Sequence, residues 1–347
     1  MGKFSPALII LSLLFASGSA LAVEPTFGRV IEKRYATPIL NREFLTAYTN
    51  LIDSAKASIC MAYLYINEDQ TTALIKETLK NAVERGVKVK VLLDDKNSAN
   101  AKTVMELNGL GIEAKLDSPR DQLHCKLIVV DGAKVLLGST NLSSRSIDEN
   151  NETNILLDCL ETGKYFGNYF DNLWNNAPKR QKIYFDVGAC PGITPVCDSR
   201  YFTDVRSIIL NSKNRIGIIL YNCRYYKDAD SNPENDLLNA LVAMAGKGRN
   251  IRVLLEKSDF DENVNKTNEE TAQYLRANGI QVRFDSAETL THAKLVLADG
   301  TAVVGSANWG MAGFSKNRET NIAVKDKKIS ERYWSYFENI WGEGQVK

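Results

Sequence analysis

The stretch HCKLIVVDG at residues 124–132 and the stretch HAKLVLADG at residues 292–300 share one skeleton: His, one residue, Lys, four residues, Asp, Gly. The chain of 347 residues has two histidines, and both sit in these stretches. The match continues outward. Upstream, LNGLGIEAKLDS at 107–118 aligns with LRANGIQVRFDS at 275–286, and GVKVKVLLDD at 86–95 aligns with GRNIRVLLEK at 248–257. Downstream, VLLGSTNLS at 135–143 aligns with AVVGSANWG at 302–310, NETNI at 151–155 with RETNI at 318–322, and YFDNLW at 169–174 with YFENIW at 336–341. The offset is 168 residues at the histidines and 167 at the last tryptophans. A period this long marks a tandem duplication of a domain-sized unit and not a solenoid.

Each unit alternates strand and helix signals. SICMAYLYI at 58–66 and IGIILYN at 216–222 read as strands; TTALIKETLKNAVERG at 71–86 and ENDLLNALVAMAGKG at 234–248 carry apolar residues at helical spacing and stop at glycine. A strand, a second helix stopped by glycine, and the histidine strand follow. That strand turns at Asp131-Gly132 into KVLLGS, a hairpin signal. The final aromatic helix of each unit carries Tyr, Phe and Trp on one stripe, the pattern of a packed core. The fold class is therefore α/β. Residues 175–199 have no visible repeat partner and read as a linker between a first unit at 23–174 and a second at 200–347.

The N-terminal residues MGKFSPALIILSLLFASGSALA read as a signal peptide: Lys3, an apolar run at 7–16 too short to span a bilayer comfortably, and the small-x-small site Ala20-Leu21-Ala22. Cleavage after Ala22 implies a secreted or periplasmic protein. Six cysteines then meet an oxidising compartment. Cys190 and Cys197 bracket the turn-rich PGITPV and are the expected disulfide; Cys60, Cys125, Cys159 and Cys223 lie in or beside apolar runs and read as buried thiols. No cysteine or histidine spacing resembles a zinc site.

The paired motifs resemble those of the phospholipase D superfamily, whose extended pattern includes Gly-Ser-x-Asn after the Asp. Here that pattern stands at Gly138-Ser139-Thr140-Asn141 and Gly305-Ser306-Ala307-Asn308. One His-x-Lys carries no weight; two full copies at one offset are specific. The resemblance implies two tandem pseudo-symmetric lobes, each a mixed β-sheet flanked by helices.

The residue types make chemical sense on their own. Residues two apart in a strand face the same way, so His124 projects with Lys126 and His292 with Lys294. Packing about a pseudo-two-fold axis brings two imidazoles and two ammonium groups to one seam. Ser139, Asn141, Ser306 and Asn308 add donors there, as expected substrate-binding groups for a tetrahedral phosphate. One neutral imidazole attacks phosphorus and a protonated one supplies the leaving oxygen with its proton. The family resemblance implies this route through a phosphohistidine, with no metal or other cofactor, and points to His124 as nucleophile and His292 as acid. An acidic residue orients each imidazole in similar proteins. Glu152, 28 residues after His124, and Glu319, 27 after His292, are assigned that role. Asp131 and Asp299, at the hairpin turns, are expected to bind turn amides.

The substrate is less legible. The resemblance gives phosphodiester chemistry. Members include phospholipases, phospholipid synthases and nucleases. The formal net charge is +1, and basic spots such as Lys179-Arg180 and Arg215 form no long stripe. This favours a phospholipid over nucleic acid. An exported endonuclease and a non-catalytic phosphate- or lipid-binding protein are the alternatives. Tyr63, Tyr65, Tyr221, Tyr225 and Tyr226 follow the first strand of each unit, where either a lipid-facing rim or ordinary packing accounts for them. A monomer with peripheral membrane contact is the expected working form.

Overall fold

A computed structural model describes residues 1–2, 35–118, 120–177, 183–227, 232–257, 261–286 and 288–346. The expected signal segment from residue 3 onward, and Lys179-Arg180, lie outside the described residues. The described residues from 35 on belong to one compact unit.

The first lobe runs β1 (Ala36–Leu40), α1 (Glu43–Asp53), β2 (Ser58–Tyr63), α2 (Gln70–Glu84), β3 (Lys88–Leu93), α3 (Asn100–Gly109), β4 (Glu113–Leu116), β5 (Gln122–Leu123), β6 (Lys126–Val130), β7 (Lys134–Gly138), β8 (Thr153–Asp158) and α4 (Leu160–Trp174). The second runs β9 (Ile193–Pro195), α5 (Arg200–Asn211), β10 (Arg215–Leu220), α6 (Pro233–Gly246), β11 (Asn250–Leu255), α7 (Glu262–Ala277), β12 (Gln281–Phe284), β13 (Lys294–Ala298), β14 (Thr301–Gly305), β15 (Asn317–Arg318), β16 (Asn321–Lys325) and α8 (Lys327–Glu343). Each lobe holds a seven-stranded sheet, ordered β1-β8-β7-β6-β2-β3-β4 and β12-β11-β10-β13-β14-β16-β9. In the first sheet β2–β3 and β3–β4 are parallel, in the second β10–β11 and β11–β12, and the other pairings are antiparallel. The registers correspond: Lys126 sits opposite Tyr63, and Lys294 opposite Leu220.

Strand alternation sorts the core into three bodies. Ile59, Met61, Tyr63, Ile128 and Val130 face outward under α1, α2 and α3. Ala62, Leu127 and Val129 face the other way, into a cluster shared with Leu295, Leu297 and Val304 of the second sheet and with the aromatic stripes of α4 and α8. The outer face of the second sheet packs under α5, α6 and α7. β6 and β13 are thus buried on both faces, which is why both read as unbroken apolar runs. Each such buried Leu or Phe stabilises the fold by about 1.5–3 kcal/mol relative to exposure. The hydrophobic effect therefore holds the two sheets to a single seam.

At the hairpins, Asp131 and Asp299 take left-handed backbone conformations, φ 52° and 50°. Asp131 accepts the amides of Lys56, Ala57 and Ser58 at 2.8–2.9 Å. Asp299 accepts those of Lys213, Asn214 and Arg215 at 2.6–3.0 Å. Both carboxyls are held below the usual range by these amides, against a desolvation that pushes the other way.

Two expectations are corrected. The end of the stretch at 175–199, from residue 193 on, does have a repeat counterpart. β9 joins the edge of the second sheet beside β16, as β1 joins the first beside β8, and Thr194-Pro195 answers Thr37-Pro38. The disulfide joins Cys159 to Cys190, with Cα atoms 6.4 Å apart, and Cys197 is a buried thiol. β9 explains the difference: it runs extended between Cys190 and Cys197, so each residue carries the chain about 3.3 Å further on and the two cysteines are drawn apart.

Candidate active site

The lobes are stitched together where the histidines emerge. β5 pairs in parallel with β15 across the seam, and Asn151 bridges Thr291 in the same way. The His124 amide donates to the Arg318 carbonyl at 3.0 Å, and the His292 amide to the Asn151 carbonyl at 2.9 Å. Arg318 and Asn151 immediately precede Glu319 and Glu152. Each histidine is therefore anchored beside the glutamate of the other lobe.

The side chains follow. His124 Nδ1 lies 2.9 Å from Glu319 Oε2. His292 Nδ1 lies 3.1 and 3.2 Å from the two oxygens of Glu152. The sequence reading set each glutamate beside the histidine of its own motif; the structure crosses the pairs, because the inter-lobe strands deliver each glutamate across the seam. Both glutamates are fully buried. Crossing makes the site incomplete in either lobe alone.

Ser139 and Ser306, expected as substrate donors, are also fully buried and turn away from that role. Ser139 donates to Glu152, and Ser306 to Glu319 at 2.5 Å. Ser146 also donates to Glu152, and Asn317 Nδ2 donates to Glu319 Oε1 at 3.0 Å. A carboxylate held by several donors stays ionised even when buried. The Glu152 carboxyl is drawn down to about 2: desolvation opposes this, but the His292 imidazole, Lys294 and Ser139 outweigh it. Glu319 is lowered by the matching set, His124, Lys126 and Ser306.

The lysines are buried as well, Lys126 at 1% and Lys294 at 3% exposure. Lys126 Nζ donates to the His124 carbonyl at 2.8 Å, and Lys294 Nζ to the His292 carbonyl. Desolvation depresses Lys126 to about 8 and Lys294 to about 7, against the pull of the glutamates. Desolvation also lowers both imidazoles, assisted by both lysines and opposed by the glutamates; His292 falls to about 4. A neutral imidazole whose Nδ1–H is held by a carboxylate leaves the Nε2 lone pair free. Two such imidazoles, each with a buried lysine at its backbone carbonyl, form a water-poor seat suited to a tetrahedral anion.

The family model for "Cardiolipin synthase, PLD-like domain" matches residues 48–174 and again 205–341. The chain belongs to the phospholipase D superfamily. Among curated relatives, this phospholipase D-like chain is 34% identical over 136 residues to a phospholipase D of Rickettsia prowazekii, covering 39% of the chain and 62% of the relative. It is 37% identical over 70 residues to the mitochondrial cardiolipin hydrolase of Xenopus laevis, covering 20% and 33%. It thus spans under two thirds of the length of either. Phosphatidylserine synthase of Haemophilus influenzae has the same fold, with TM-score 0.71 over 90% of this chain and 87% of that one at 14% identity.

The remaining parts of the phospholipase D-like motifs support the seam. A side chain at Gly138 or Gly305 would collide with Asn154 or Asn321 of the neighbouring strand. Those two asparagines accept the Thr140 and Ala307 amides at 3.2 and 3.1 Å, which fixes the turn that carries Asn141 and Asn308. The Oδ1 atoms of Asn141 and Asn308 are buried with no donor among the described residues. Of the tyrosines, Tyr63 lies in the core and Tyr225 stacks on Tyr274 at 4.0 Å. Tyr221 sets its ring 5.0 Å from the His292 ring and 5.0 Å from Lys294 Nζ.

Several supporting residues escaped the sequence reading. Asn41 and Asp198 are counterparts: both have left-handed backbones, and their Oδ1 atoms accept the Glu152 and Glu319 amides at 2.8 and 2.9 Å. Tyr336 and Tyr169, at matching positions of α8 and α4, donate to the same two atoms at 2.9 Å. Asp94 accepts the Leu123 amide at 2.8 Å and Glu256 the Thr291 amide at 2.6 Å, so an acid steadies the residue before each histidine. Asp94, Asp95 and Asp117 bring carboxylates within 4.8 Å of one another. Within that group Asp94 and Asp117 accept backbone amides, and Asp94 ties it to the residue before His124.

Proposed function

We propose that the chain is an exported phosphodiesterase that hydrolyses a phospholipid by phospholipase D-type chemistry through a phosphohistidine. The observation that carries this reading is the crossed pair of buried, carboxylate-held imidazoles flanked by Lys126 and Lys294. In the first step Nε2 of one imidazole attacks phosphorus while the bond to the leaving oxygen breaks, and the second imidazole, protonated, gives that oxygen its proton. In the second step the now neutral imidazole takes a proton from water, the water oxygen bonds to phosphorus and the P–N bond breaks. Desolvation keeps the imidazoles neutral, assisted by repulsion from the lysines; a phosphodiester anion bound between the lysines offsets that repulsion and so favours protonation of the acid.

We assign the attack to His124 and the proton to His292, as the family resemblance implies. Tyr221 supports the assignment. Its ring borders His292, whereas Leu64 holds the corresponding place in the first lobe, and an aromatic ring favours an imidazolium over a neutral ring. The leader pattern at residues 1–22 and the Cys159–Cys190 disulfide support export. No helix among the described residues is long and apolar enough to cross a membrane. The test incubates mature protein in EDTA with phosphatidylcholine vesicles and, separately, with plasmid DNA. Choline release without nicking is expected. Nicking without choline release assigns the site to nucleic acid, and turnover of neither discards the enzyme reading.

A further inference from the structure

The two histidine–glutamate pairs share one geometry and are held by different chemistry. Behind Glu152 the support is made of neutral amides. Asn41 Nδ2 donates to Asn151 Oδ1 at 3.3 Å, and Asn151 Nδ2 donates to Thr291 Oγ1 at 3.2 Å. Arg42, the neighbouring cation, donates to the Glu149 and Asn150 carbonyls. Behind Glu319 the counterparts of Asn41 and Asn151 are Asp198 and Arg318, both buried. Arg318 Nη1 lies 3.2 Å from Asp198 Oδ2, and its Nε lies 3.4 Å from Asp121 Oδ2. Its Nη2 donates to the Ala177 carbonyl at 2.9 Å. The more exposed Arg120 adds a second cation 3.6 Å from Asp121.

These contacts close a ring around one pair. The Arg318 carbonyl accepts the His124 amide at 3.0 Å and the Cys125 thiol at 3.3 Å. Its guanidinium holds Asp198, and Asp198 Oδ1 accepts the amide of Glu319, the next residue in the chain. One side chain therefore anchors the backbone of both His124 and Glu319. Asp121, three residues before His124, ties the first lobe to the same guanidinium. A guanidinium holds two carboxylates in fixed directions, and charge-assisted bonds of this kind are roughly twice as strong as neutral ones.

The difference matches two tasks. Attack needs Nε2 in line with the leaving oxygen and about 3–3.5 Å from phosphorus, and a misplacement of about 1 Å costs on the order of a hundredfold. Proton transfer needs only hydrogen-bond reach. The imidazole that attacks gains more from a rigid support than the one that exchanges protons. We propose that Asp198 and Arg318 are positioning residues for the nucleophile, acting through Glu319 and the backbone to hold His124 in line for attack. This assignment rests on the phosphohistidine reading given above and holds for either substrate class.

The test uses bis(para-nitrophenyl) phosphate, whose leaving group needs no proton, so nitrophenolate release reports the attack alone. Single turnovers under saturating enzyme give a rate that does not depend on how much of the protein is folded. The main variant is Asp198→Asn with Arg318→Asn, which copies the support of the other pair. It removes both partners of the buried ion pair together, so neither charge is left alone. Asn suits the left-handed backbone at residue 198, as Asn41 shows, and Asp121 keeps Arg120. A thermal melt checks folding. Arg318→Lys, which keeps the charge and loses the fork, decides the matter if the double variant does not fold. Attack is expected to slow about tenfold or more in the double variant and about threefold or more in Arg318→Lys. Hydrolysis of the phosphoenzyme, followed with diester labelled at phosphorus, is expected to stay within about twofold, because the P–N bond then holds the ring. An unchanged attack rate in a folded variant overturns the assignment. So do attack and hydrolysis that slow together, which mark a general distortion of the seam. Label on His292 in place of His124 overturns it while leaving the phosphohistidine reading standing. No turnover of this diester by the wild type removes both.

Discussion

At the seam the two lobes place the same atoms in the same roles. A serine, an amide side chain and an imidazole converge on each buried glutamate, and a lysine reaches back to each histidine carbonyl. At the rim the lobes part company. The first lobe has Asn67, Asp69 and Glu149 at the positions where the second has Arg224, Tyr226 and Lys316. Ser146, the additional hydroxyl donor to Glu152, is replaced by Gly313 beside Glu319. Tyr221 borders His292 where the first lobe has Leu64. The chemistry of the reacting phosphorus is two-fold; the chemistry that chooses a substrate and tells one histidine from the other is not. A duplicated fold gains a directional reaction by varying what surrounds a fixed centre.

The strongest test of the shared centre breaks it. His124→Asn and His292→Asn are each expected to lower kcat by at least about a thousandfold, since each removes either the nucleophile or the acid. With labelled substrate, His292→Asn is expected to retain phosphate on His124; retention on His292 in the His124→Asn protein reverses the assigned roles. The crossing has its own signature. Glu319→Gln should cost little more in a His124→Asn background, where its partner is gone, but its full effect in a Glu152→Gln background. If Glu152→Gln is the change that His124→Asn masks, the pairs are not crossed.

A smaller effect, on stability, comes from the Cys159–Cys190 disulfide, which closes 31 residues across the lobe junction. Cys159→Ser and Cys190→Ser are expected to cost the same, about 2–4 kcal/mol, and Cys197→Ser distinctly less. Equal losses for Cys190→Ser and Cys197→Ser in a denaturant titration would restore the pairing expected from the sequence.

That pairing shows where sequence reading stops. Hairpins, helices and both His-x-Lys pairs were legible because each is a local pattern: strand alternation, helical spacing, a turn at Asp-Gly. The crossing was not, because Glu152 and Glu319 lie at nearly equal distances downstream of their own histidines, and only the packing of β5 on β15 decides between partners. Asn41 and Asp198 were hidden by a changing offset. It is 157 residues from Asn41 to Asp198 but 168 between the histidines, and Thr-Pro followed by an apolar residue was the one surviving signal. The serines misled because a hydroxyl beside a phosphate seat and a hydroxyl beneath a carboxylate look alike in one dimension.

The buried charges predict a pH dependence that both lobes share. His292, ordinarily near 6.5, is held at about 4 in the fold, so between these values the unfolded chain binds the proton and the native chain does not. Stability should fall as pH drops from about 6.5 to 4, and again toward 2 as Glu152 is forced to protonate. Lys294 and Lys126, held at about 7 and 8 against an ordinary 10.5, act in the same direction on the alkaline side: stability should rise between pH 7 and 10.5. Urea titrations across pH check the slopes. A His292→Asn protein that keeps the full loss between pH 6.5 and 4 removes this account of it.

The smallest expected effect bears on the least symmetric contact. If the Tyr221 ring favours an imidazolium at His292, then Tyr221→Leu lowers the affinity of that imidazole for its proton. The acid of a general acid–base pair sets the alkaline limb of the pH–rate profile, so that limb should move to lower pH in the variant. A contact of this kind contributes about 0.5–2 kcal/mol, which corresponds to a rate loss of roughly two- to thirtyfold at neutral pH. The acidic limb, set by the nucleophile, should stay in place. A purely structural role for Tyr221 would lower the rate at every pH and leave both limbs where they are. The reciprocal change sharpens the comparison between lobes. Leu64→Tyr gives His124 the ring it lacks, and the nucleophile should then hold its proton more tightly. The acidic limb should move to higher pH while the alkaline limb stays. If Tyr221→Leu moves the acidic limb and Leu64→Tyr the alkaline limb, the roles of the two histidines are exchanged, and limbs that do not move in either variant would leave Tyr221 no part in distinguishing them.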